Sequence, residues 1–84
     1  MNSSLIGKIE KARRYSDERQ DRISFEEFVV NLRGDNGTHQ VRLKGGILSC
    51  NCDFYTVWST CSHTMTMERI LTGMVPEQPV IPNQ

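Results

Sequence analysis

The sequence lacks several features, and each lack removes a class of function. No apolar run is long enough for a signal peptide or a membrane-spanning helix, and the opening residues MNSSLIGKIE mix polar with apolar side chains. The expected setting is the cytoplasm, with no membrane partner. No glycine-rich phosphate loop occurs, and no paired carboxylates stand near a pocket-forming segment. Neither charge is in surplus: ten Lys and Arg balance ten Asp and Glu, so the chain as a whole is not a basic nucleic-acid binder. No internal repeat or low-complexity block stands out. At 84 residues there is room for one domain, and cores of that size often need a staple.

Cysteine is scarce as well, with three in the chain. An odd number leaves one thiol over in any pairing scheme, which argues against a disulfide framework. What is present is their arrangement. Cys50 and Cys52 form one pair, and Cys61 stands two residues before His63. In an extended segment side chains alternate, so Cys50 and Cys52 would turn their sulfurs to one side. A turn followed by a helix could return Cys61 and His63 to the same point. Three thiolates and an imidazole are donors that zinc takes in a closed tetrahedral site, so one structural Zn2+ is expected. Retained thiols also suit a reducing interior. The alternatives are a reduced, metal-free cluster and a redox or thiol enzyme using Cys61 and His63. No third orienting group supports the enzyme, and a site with four protein ligands has no open position for water or substrate. A non-catalytic protein without a small-molecule substrate is expected.

This CxC, spacer, CxH order, after a two-strand segment and before a short apolar helix, resembles the SWIM zinc finger over about residues 23–74. The resemblance implies a ββα zinc module linked to DNA binding and to protein–protein contact. The family appears as an accessory domain of larger proteins and as small stand-alone chains. The chain divides on this reading into an N-terminal helix over 1–22 packing on the module, a SWIM-like zinc finger over 23–75, and a Pro-rich mobile tail over 76–84.

Periodicity predicts an α+β fold: an N-terminal helix, a small antiparallel three-stranded sheet and a zinc-clamped C-terminal helix. Residues 3–20 read as the first helix, capped by Ser3 or Ser4, with a narrow stripe of Leu5, Ile9, Ala12 and Tyr15 or Ser16. Glu18 and Arg22 sit four apart and support it. From Ile23 the period becomes two, with Phe28, Val30 and Leu32 on one face. The parity of Ile23 and Phe25 is opposite, which predicts a bulge or strand start near Glu26. Gly34, Asp35, Asn36 and Gly37 signal a hairpin turn, followed by a strand over 38–44 with His39, Val41 and Leu43 inward. Gly45 and Gly46 make the second turn, and a third strand is expected over 47–52 with Leu48, Cys50 and Cys52 on one face. His39 stands alone, which favours a cross-strand or solvent role over ligation. Residues 53–60 are expected as an apolar loop with Phe54 inside and Trp58 partly exposed. Ser59 or Thr60 would cap the last helix, whose stripe of His63, Met67, Ile70, Leu71 and Met74 faces the sheet; Gly73 and Pro76 end it.

Two kinds of partner follow, with nearly equal weight. One is another protein, met by the aromatic segment with Tyr55 and Trp58, where such residues are common anchors. The other is DNA, with Arg13, Arg14, Arg19, Arg22, Arg33, Arg42 and Lys44 on phosphates and Tyr55 or Trp58 stacking on bases. Mixed charge over residues 8–22 is also what an ordinary solvated helix face carries.

Overall fold

A computed structural model describes residues 3–78. Its elements run α1 (Ser3–Asp17), α2 (Arg19–Arg22), β1 (Phe28–Gly34), β2 (Gly37–Lys44), β3 (Ile47–Cys50), α3 (Asp53–Trp58) and α4 (Ser62–Ile70). This is the expected α+β order of helix, three-stranded antiparallel sheet and C-terminal helix, with two short helices added. No described helix is long and apolar enough to cross a membrane.

The sheet is a meander in the order β1-β2-β3. Gly34 pairs with Gly37 across the first turn, Phe28 with Leu43, and Val41 with both Val30 and Cys50. Pairing of directly opposed residues puts them on the same face, so Phe28, Val30, Leu32, His39, Val41, Leu43, Leu48 and Cys50 all look one way. Strict alternation of burial along β1 agrees. Gly45 and Gly46 both take positive φ, 60° and 81°, which a tight two-residue hairpin of right-handed twist requires. In the first turn the positive φ falls on Gly37, at 136°, and not on Asn36.

Val41, Leu43, Leu48 and Met67 form the buried centre, with Phe25, Phe28, Val30, Leu32, Cys50, Leu71 and Val75 packed around it. Met67 carries α4 onto the sheet, and Met74 is buried just beyond. Ile70, expected on that stripe, is 61 % exposed. The helix ends at Ile70 with Leu71 as its C-cap, so the expected helical spacing stops there. Residues 23–27 form no strand. The chain is instead fixed there by Phe25, whose N–H donates to the Met74 carbonyl at 2.7 Å, and β1 starts at Phe28. At the far edge Gln78 clasps β3: its Oε1 accepts from the Leu48 N–H at 2.7 Å and its Nε2 donates to the Gly46 carbonyl at 3.1 Å. Residues 79–84 of the expected tail, and Met1 and Asn2, lie outside the described residues.

The first helix breaks at Glu18, which turns the chain into α2. Neither α1 nor α2 buries a residue. Leu5, Ile6 and Ile9 are 41 to 50 % exposed. The Arg22 guanidinium is bonded to Glu18 at 2.7 Å and lies over the Tyr15 ring at 4.3 Å, which stitches α2 back to α1. The molecule is accordingly long, 56 × 27 × 19 Å, with a radius of gyration of 16.7 Å. A compact chain of this length would measure about 12 Å.

Candidate metal centre

Cys50 ends β3 on its inward face, opposite Val41. Cys52 does not extend that strand, contrary to the alternation argument. The strand stops at Cys50, and Cys52 becomes the N-cap of α3 with extended backbone. The pairing still runs one residue further in a different form. The Asn51 N–H donates to the Gln40 carbonyl at 3.3 Å, and the Gln40 N–H donates to Asn51 Oδ1 at 3.1 Å. The segment expected as a loop over 53–60 is therefore opened by a helix, closed by Ser59 in the left-handed region at φ 60°. Ser59 and Thr60 are not the cap of the last helix. That position is held by Cys61, whose N–H donates to Thr64 Oγ1 at 3.2 Å. Each helix start thus presents a sulfur at the end where backbone N–H groups are unpaired and favour negative charge.

Cys50, Cys52, Cys61 and His63 come together at this place, with their donor atoms all within 4.8 Å of one another. His63 Nδ1 lies 3.5 Å from Cys50 Sγ and 3.7 Å from Cys61 Sγ. A tetrahedron with zinc–sulfur bonds of ~2.3 Å and a zinc–nitrogen bond of ~2.0 Å has edges of about 3.5 Å and 3.8 Å. The two nitrogen–sulfur separations match that geometry, the remaining donor pairs lie within 4.8 Å, and the donor set is one that metals of zinc's type take. Cys52 and Cys61 are buried, and Cys50 and His63 are half-buried.

The thiols do not titrate alike. Burial, together with the neighbouring Cys52 and Cys61 sulfurs, pushes the Cys50 thiol up to about 11. Cys52 shifts the other way. Burial acts to raise it, but the backbone groups of Tyr55 and Phe54 and hydrogen bonding with Cys61 and Cys50 outweigh that and hold it below the ordinary thiol value. The Cys50 and Cys52 sulfurs thus influence each other's titration, and a divalent ion held there would take the place of the thiol protons.

The surroundings of the centre are less apparent in the sequence. His39 is not among the clustered donors; its ring leans on that of His63 at a centroid distance of 4.5 Å, tilted 38°. Gly34, at the end of β1, lies under the other edge of the His63 ring. Neither contact has a sequence signal, since both depend on which face of the hairpin meets α4. Tyr55 is turned inward, its hydroxyl donating to the Leu48 carbonyl at 3.0 Å. Phe54 was expected inside and is 57 % exposed, stacked on Trp58 at 6.1 Å. As α3 is a helix, Phe54, Val57 and Trp58 share one side at spacings of three and four, and Tyr55 takes the inward position.

The basic residues separate into two groups. Arg13, Arg14, Arg19 and Arg22 lie on α1 and α2. Arg33, Arg42 and Lys44 project from the outward face of the sheet, with Val29, Asn31, Thr38, Gln40, Ile47 and Ser49. Among the described residues the outward strand positions carry no carboxylate, and Arg42 is held there by Gln40 Oε1 at 3.0 Å. Comparison of the chain with protein-family models, with curated proteins and with solved structures gives no match.

Proposed function

We propose that the chain is a SWIM-type zinc module, with one structural Zn2+ held by Cys50, Cys52, Cys61 and His63, and that it is a non-catalytic adaptor whose α3 docks a partner protein. The observation that carries this reading is the convergence of four donor atoms, from the end of β3 and the starts of α3 and α4, within 4.8 Å. Their CxC and CxH spacing supports the family assignment. Filling all four positions with protein donors leaves a metal no site for substrate, which supports a structural role. Mass spectrometry of protein purified without added zinc is expected to find one zinc per chain. A chain that carries none, and takes up none when it is offered, contradicts the proposal.

The adaptor role is supported by Phe54, Val57 and Trp58, exposed at 57, 73 and 46 % on one side of a single short helix. An apolar ridge of that kind, fixed at both ends by ligand cysteines, has the character of a contact surface. DNA is the second reading, favoured by the carboxylate-free sheet face with Arg33, Arg42 and Lys44. The two differ in salt dependence. Phosphate contacts lose affinity steeply between about 50 and 200 mM salt through counterion release, whereas an aromatic interface is much less sensitive. Absence of binding to a fluorescent oligonucleotide at low salt leaves the protein partner as the function. Binding that Arg42→Ala weakens and Trp58→Ala leaves intact replaces it with DNA.

A further inference from the structure

His63 could offer either ring nitrogen to a metal, and nothing in the CxH spacing chooses between them. The packing around the ring does. Nδ1 faces the sulfurs of Cys50 and Cys61, at 3.5 and 3.7 Å. On the far edge, a Cβ built on Gly34 would stand 3.1 Å from Nε2 and 3.7 Å from Cδ2. One ring face rests against His39. The imidazole therefore occupies a slot between the end of β1 and the His39 ring, and the slot has room for it because residue 34 has no side chain.

We infer that Gly34 is a positioning residue for the metal centre: its bare α-carbon seats the His63 ring so that Nδ1 binds the ion and Nε2 keeps the proton. Ligation through Nε2 would need the ring to reach the sulfurs with its far end, which lies against β1. Gly34 itself has strand backbone outside the left-handed region, so an alanine there meets no torsional obstacle. What it meets is the imidazole. A contact as close as 3.1 Å obliges the neighbour to give by a few tenths of an ångström, and the neighbour here is the His63 ring. Its movement carries Nδ1 off the position shared with the sulfurs. Outer groups that orient a metal-binding histidine typically contribute 10- to 100-fold to affinity.

Gly37 supplies the control. It lies in the same hairpin with φ at 136°, and a Cβ built on it meets nothing within 4 Å. Gly37→Ala thus strains the turn without touching the ring, and Gly34→Ala crowds the ring without straining the turn. Both variants and the parent chain, loaded with zinc, are compared by long-range proton–nitrogen correlation of the His63 side chain, and loaded with cobalt by their visible spectra. The inference rests on the metal site proposed above, and the experiment separates the two. In the parent, a metal-bound Nδ1 and a protonated Nε2 are expected. Gly34→Ala is expected to shift the His63 nitrogens and the cobalt bands and to lower metal affinity about tenfold or more in chelator competition. Gly37→Ala is expected to lower the melting temperature with both spectra unchanged. Metal bound through Nε2, or a Gly34→Ala variant whose spectra match the parent, overturns the inference and leaves the zinc module standing. A parent chain that binds neither metal overturns both.

Discussion

At the residue scale, the raised Cys50 thiol sets how metal binding should respond to acid. A thiol with its midpoint near 11 is protonated throughout the neutral range, so an ion that binds the thiolate must displace that proton. Apparent zinc affinity is expected to rise at least about tenfold per pH unit between about pH 6 and 8 and to fall as the solution is acidified. Chelator competition at several pH values measures the slope, and a flat profile would remove Cys50 from the ligand set. The sign is opposite for the metal-free fold. Cys50 is raised in the folded chain, so its contribution is complete below the ordinary thiol value of 9.0 and is lost as pH climbs toward 11. The core offers a second residue-scale contrast. Leu43 is fully buried on the central strand, and Leu43→Ala is expected to cost about 2–5 kcal/mol, much of what a chain this size has. Val29 stands half out of the opposite face, and Val29→Ala should change stability by only about 0.5 kcal/mol. Thermal melts of the two zinc-loaded variants give the comparison.

At the scale of elements, the hairpins were legible and the connections were not. The inward set Phe28, Val30, Leu32, Val41 and Leu43 could be read because a half-buried strand alternates with period two and the glycine pairs mark where it reverses. That the CxC and CxH pairs converge was readable from spacing. How they converge was not. Strand alternation gave Cys50 its direction, but Cys52 owes its direction to the start of α3, a helix of six residues too short to leave a periodic signal. The same helix reversed the expected place of Phe54 and turned Tyr55 inward. The N-terminal segment differs again: its periodicity is real, yet α1 buries nothing. An isolated helix of 15 residues is marginal in water, so α1 should melt on its own. Ala12→Pro, costing about 3 kcal/mol locally, is expected to lower helical circular dichroism while the melt of the sheet is unmoved. A matching drop in the main transition would show that α1 supports the module after all.

At the scale of the whole molecule, little apolar area is available to hold the fold. Among the described residues the buried cluster has four members, of which α4 supplies Met67. The proposed ion would join β3 to α4 where that core ends, so its binding energy would be folding energy. Chelation is expected to abolish the cooperative thermal transition, followed by circular dichroism and by the fluorescence of Trp58, the one tryptophan. A metal-free sample that still melts sharply would show the apolar core to be sufficient. In both outcomes the shape matters for what the molecule can touch. The extended helical arm and the Phe54–Trp58 ridge belong to different elements, so a partner could engage one and leave the other open.

The position of α3 between Cys52 and Cys61 has one more consequence. Phe54 is 57 % exposed and Trp58 46 %, and the backbone turns sharply at Ser59, so chymotrypsin should cut within α3 as well as after Tyr15 in the N-terminal arm. With proposed ligands on both sides of such a nick in α3, the two peptides flanking it would stay joined through the ion and elute as one species. Adding a chelator to the cut protein would then release them as separate pieces.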